Sequence, residues 1–98
     1  MRIAVFIDDI YLSETGKDIK HVFLFEIDDR LIKALGEEWM RISDINYICI
    51  WLLGKRIKVV YSNDFTETEK EMLEKVDIQI RSLDEIRHNP LLSALLIK

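Results

Sequence analysis

A chain of 98 residues has room for one domain and too little for two. Its 49% hydrophobic and 33% charged content excludes a disordered or low-complexity protein. Its net charge of -4 argues against a protein built to grip nucleic-acid phosphates, which would carry a basic stripe, so no nucleic-acid partner is expected.

The lone cysteine, Cys49, excludes an internal disulfide and any Cys-x-x-Cys metal site, and it fits a reducing cytoplasm. The opening stretch MRIAVFI is too short for a secretory leader. No apolar run approaches the roughly 20 residues that span a bilayer, so no membrane association is expected.

Met1 to Ile7 is short, β-branched and apolar, the pattern of a buried strand, and Asp8-Asp9 ends it. A polar connection from Ile10 to Lys20 contains Gly16. His21 to Ile27, HVFLFEI, is apolar on both faces and predicts a second central strand. Asp28-Asp29 reads as a hairpin turn into a third strand over Arg30 to Leu35, a segment whose pattern also suits a helix.

From Ser43 the period changes. Ile45, Ile48, Cys49, Leu52 and Leu53 fall on one stripe of an amphipathic helix, with Ser43 as N-cap and Gly54 as stop. Ile57 to Tyr61 is a strand, Thr66 to Lys75 a helix, and Asp77 to Arg81 a strand. Thr66 and Glu69 have capping-box spacing, and Met72, Leu73 and Val76 form the buried stripe. Ser82 caps a last helical start through Ile86, and Asn89-Pro90 restarts a helix.

The predicted order is β-β-β-α-β-α-β-α in one α/β domain over residues 1–98. Crossover connections in the second half require parallel pairing and the hairpin adds an antiparallel edge. The expectation is a three-layer α/β/α fold around a mixed, mostly parallel sheet of about five strands.

Two constellations carry candidate chemistry. Asp8, Asp9 and Asp64 would stand beyond the C-terminal ends of neighbouring parallel strands, where open α/β sheets bind ligands. Carboxylates grouped there can hold Mg²⁺ for a hydrolase or nuclease reaction. The competing structural reading is that acids end strands and favour helix N-termini. The loop from Ser62 to Thr66 opens a helix, as anion-binding loops do, but it has no glycine and carries acid at Asp64, Glu67 and Glu69.

Cys49 reads as a core thiol, and the isolated His21 and His88 as ordinary strand or surface residues. Tyr47, Ile50 and Trp51 lie off the main stripe of the first helix, and the tail from Leu91 to Ile97 is apolar on more than one face. Surplus apolar surface of this kind predicts a homodimer or a protein partner.

The residues also resemble a known family. The small domains of the dinitrogenase iron–molybdenum cofactor biosynthesis family open with a strand like MRIAVFI. They continue through Ser-Glu-His-Phe-Gly-Arg to a strand of the type Phe-Leu-x-Tyr-Glu-Val. Here Ser13-Glu14-Thr15-Gly16-Lys17 precedes Phe23-Leu24-Phe25-Glu26-Ile27, and Ile45 to Ile86 follows the family layout element for element.

The resemblance implies a ribonuclease H-like motif and a non-enzymatic carrier of iron–sulfur or iron–molybdenum clusters. Cofactor contacts would then fall at Ser13, Thr15, Gly16, Ser62, Asn63 and Asp64. Thr15 stands where the family has His-Phe, and the second loop lacks the family's glycines, so the implied cluster site is degenerate. The acidic pair in VFIDDI also suggests a receiver-like switch, which the hairpin in the first half opposes.

Overall fold

The computed structural model describes residues 1–8, 19–29, 31–41 and 44–88. Eight elements follow the predicted order: β1 (Arg2–Asp8), β2 (Ile19–Asp28), β3 (Leu31–Arg41), α1 (Ile45–Gly54), β4 (Ile57–Tyr61), α2 (Glu67–Lys75), β5 (Gln79–Arg81) and α3 (Asp84–Arg87). The strands form one sheet in the order β3-β2-β1-β4-β5. β1 with β2 and β2 with β3 pair antiparallel, whereas β1 with β4 and β4 with β5 pair parallel. The sheet is therefore evenly mixed rather than mostly parallel, because β2 and β3 both join through antiparallel pairings, which balance the two parallel ones. No described helix is long and apolar enough to cross a membrane.

Residues Ile3 to Phe6 of β1 are fully buried, as expected for a central strand covered on both faces. Alternate side chains divide between two cores. Ala4, Phe6, Val22, Leu24 and Met40 pack with Ile48 and Leu52 of α1 and Leu73 of α2. Ile3, Val5, Phe25, Val59 and Tyr61 pack with Ile86 of α3. Each fully buried aliphatic side chain contributes about 1.5–3 kcal/mol of transfer free energy.

The third strand runs well beyond the predicted Leu35. Leu24 pairs with Gly36 and Phe25 with Ala34, so Leu35 is an extra residue in a bulge. The bulge re-phases the alternation halfway along β3, which is why no single period marks it in the sequence. Gly36 there takes φ 155°, a backbone region close to glycine-only. The hairpin turn includes Asp29 at φ 51°, a left-handed position that aspartate tolerates.

Three predicted helix ends differ. The N-cap of α1 is Asp44, not Ser43, which lies outside the described residues; Asp44 Oδ1 accepts from Asn46 N at 3.1 Å and Tyr47 N at 3.3 Å. A carboxylate accepts strongly there and also suits the helix dipole. Gly54 is the last helical residue rather than a left-handed stop, and Arg56 takes that conformation at φ 60°. At α3 the N-cap is Leu83 with no side-chain cap, and Ser82 accepts from Glu85 N through its backbone carbonyl at 3.2 Å.

Leu53 is exposed rather than part of the buried stripe, and Trp51 packs against the core in its place. Asp77 turns out of α2 at φ 64°, so β5 begins at Gln79 rather than at Asp77. The restart at Asn89-Pro90 lies outside the described residues.

Candidate functional site

The C-terminal ends of β1 and β4 lie side by side, and the chain leaves β4 through Ser62, Asn63 and Asp64. Each of these polar side chains has a partner within the fold. Ser62 is buried, and its Oγ accepts from Asp64 N at 3.2 Å. Asn63 Oδ1 accepts from Leu83 N at 2.9 Å, tying the loop to the start of α3. Asp64 Oδ2 pairs with Lys20 Nζ at 3.1 Å.

Thr66 then opens α2 with the predicted capping box. Its hydroxyl accepts from Glu69 N at 3.2 Å, and Glu69 Oε1 accepts from Thr66 N at 2.9 Å. Phe65 turns inward and meets Phe6 edge to face, ring centres 5.5 Å apart. The loop is held at both ends.

Lys20 was not among the predicted site residues, yet it organises this end of the sheet. It shares the face of Val22 and Leu24, opposite Asp8 on β1 and Met40 on β3, and is only 4% exposed. A buried ammonium requires a partner, and Asp64 provides one. A lysine at core parity beside HVFLFEI is the sequence signal that marks it.

Among the described residues, no group of three or more His, Cys, Asp or Glu side chains is close enough to hold a metal ion. Of the predicted acidic cluster, Asp8 ends β1 as expected, Asp64 is the partner of Lys20, and Asp9 lies outside the described residues. Ser13, Thr15 and Gly16 lie outside them as well.

His21 lies against two aromatic rings. Its ring stacks on Trp39 at 4.2 Å and 15°, lies 4.1 Å from the Phe23 ring, and bonds Glu37 Oε2 through Nε2 at 2.8 Å. Cys49 is half-buried against the core of α1. Burial raises its thiol pKa above the ordinary 9.0, which leaves little reactive thiolate. Tyr61 is also raised above 10.0, first by burial and then by Glu85, with Arg81 opposing.

A second feature lies at the other side of the sheet. An open groove of about 570 Å³ runs between the end of β3 and α1, lined by Glu38, Trp39, Met40, Arg41, Tyr47 and Trp51 among others. Trp39 and Tyr47 are 52% and 56% exposed, and Ile50 on the outer side of α1 is 71% exposed. Lys55 Nζ stands 6.0 Å over the Trp51 ring. Tyr47 and Ile50 thus match the predicted apolar surplus, while Trp51 is half-buried between core and groove. The Leu91–Ile97 tail lies outside the described residues.

No known family profile and no curated protein matches the chain. Solved structures do. The protein PH0822 superposes with a TM-score of 0.57 at 12% identity, covering 84% of this chain and 78% of its own. A Fowlpox virus resolvase, solved with its Holliday junction DNA substrate, gives 0.52 at 15% identity over 84% of this chain. This chain spans 59% of the resolvase's length. At such identities the likeness concerns the fold.

Proposed function

We propose that the chain is a non-enzymatic interaction domain on a three-layer, ribonuclease H-like frame. In this reading it shares the layout of the dinitrogenase iron–molybdenum cofactor biosynthesis domains without their cluster chemistry. One observation carries the reading. The loop after β4 uses Ser62, Asn63 and Asp64 to hold the fold together, while a wide aromatic groove stays open between β3 and α1.

A cluster does not fit the residues at the sheet end. Cluster metals take thiolate or imidazole ligands. The loop after β4 offers a hydroxyl, an amide and a lysine-paired carboxylate, and the 9–18 stretch contains no cysteine or histidine. His21 is already bonded to Glu37, and Cys49 belongs to α1. Anaerobic reconstitution with ferrous iron and sulfide tests this. A colourless protein after gel filtration is expected; retained visible absorption would contradict it.

A second reading rests on Asp8 closing β1 and Asp64 following its parallel neighbour β4. With Asp9, these acids would hold Mg²⁺ for hydrolysis. Titration with Mg²⁺ followed by amide NMR separates the two readings. Saturable shifts at Asp8, Asp9 and Asp64 support the hydrolase, and their absence supports the interaction domain.

A further inference from the structure

We propose that the occupant of the groove is a second copy of this chain, joined antiparallel along β3; this rests on the interaction-domain reading and names its partner. Among the described strands β3 forms one edge of the sheet; it is 11 residues long, and almost all its residues are exposed. An edge of that length presents a row of backbone donors and acceptors to a further strand. Its outward side chains select which strand.

The bulge at Leu35 sorts those side chains. Leu31, Lys33, Glu38 and Met40 oppose Asp28, Glu26, Val22 and Lys20 of β2, and so share the face of α1. Ile32, Ala34, Glu37 and Trp39 oppose Ile27, Phe25, Phe23 and His21 on the other face. An antiparallel copy centred on the bulge sets Lys33 against Glu38, Ile32 against Trp39 and Leu31 against Met40. Every such pair joins side chains of one face, and two-fold symmetry makes each pair twice. A shift by two residues would set Lys33 against Met40 or Gly36 and lose the charge match.

Two further observations favour this register. Neither Lys33 nor Glu38 has an ion-pair partner among the described residues, and the pairing supplies one to both. Leu31 is the most exposed large apolar residue described, at 75%. Opposite Met40, the second copy's Leu31 enters the groove between β3 and the rings of Tyr47 and Trp51. Aliphatic surface then covers aromatic surface in both copies.

Sedimentation equilibrium on the whole chain tests the pairing. The wild type is expected to dimerise, and Lys33→Glu or Glu38→Lys alone, which set like charges together twice, each weaken association about tenfold or more. The combined K33E/E38K chain restores the match and returns the constant to within about threefold of wild type. Ile50→Glu, on exposed α1 surface outside the groove, leaves association unchanged.

A monomeric wild type at millimolar concentration would overturn the pairing, as would single reversals without effect, or dissociation by Ile50→Glu. All variants keep the wild-type circular dichroism spectrum, because the substituted side chains are exposed. The two proposals fail separately. A monomer removes the pairing and leaves the interaction-domain reading, whereas a retained cluster removes that reading and leaves the pairing.

Discussion

Replacing Asp64 by asparagine keeps the shape of the loop and removes the charge facing Lys20. The side chains of Lys20 and Asp64 are 5% and 33% exposed, and the ion pair spans 3.1 Å. Removing one partner of a fully buried pair costs about 3–5 kcal/mol, and an exposed pair contributes about 0–1 kcal/mol. This pair lies between those limits, and Lys20 has a further interaction. The expected loss for Asp64→Asn is about 2 kcal/mol.

Lys20→Met is expected to cost less, about 1 kcal/mol, because it buries an apolar chain and leaves a carboxylate that water still reaches. For a domain of this size the asparagine variant melts about 8–16 °C lower. Urea titration followed by tryptophan fluorescence reads both free energies. A loss under about 0.5 kcal/mol for Asp64→Asn, or a loss for Lys20→Met larger than that for Asp64→Asn, would show that Lys20 does not depend on Asp64 as a buried cation's partner. The asymmetry is the informative part, since it separates a buried cation from a surface ion pair.

Gly36→Ala meets no atom within 4 Å at the added Cβ, so its cost is backbone strain alone at φ 155°. A loss of about 1–3 kcal/mol is expected in the same urea assay, and wild-type stability would show that the bulge relaxes. Alkaline pH also destabilises the fold. Cys49 and Tyr61 both have raised folded-state pKa values, so the unfolded chain releases their protons first. Stability is full below pH 9.0, then falls as pH rises through the ordinary Cys value and, from 10.0, the ordinary Tyr value. Cys49→Ala removes the earlier part of that fall; a midpoint that increases with pH would contradict it.

The order of elements was legible because its signals are local. Asp28-Asp29 marks a hairpin, Thr66 and Glu69 mark a helix start, and HVFLFEI marks a central strand without reference to anything distant. The misses are tertiary. The length of β3 was hidden because the bulge at Leu35 shifts the phase of its alternation. Ser82 was expected to cap α3, but Asn63 reaches across from the other loop to bond Leu83 N.

Lys20 looked like the end of a polar connection until β2 placed it on the core face beside Asp64. The same contacts explain why Ser62, Asn63 and Asp64 read as a binding loop in the sequence. Polar residues that tie a loop to its own fold have the same composition as those that meet a ligand. The apolar surplus on α1 was legible from the helical period at Tyr47 and Ile50. That β3 shares the same groove was not, since it depends on how the helix lies against the sheet edge.

Amide hydrogen exchange by NMR at micromolar and millimolar protein reads the β3 pairing residue by residue. In a dimer joined along β3, alternate amides across Leu31–Arg41 gain protection with concentration, the Tyr47 and Trp51 ring signals shift, and Ser62 to Asp64 stay unchanged. Exchange along β3 that is independent of concentration would contradict it.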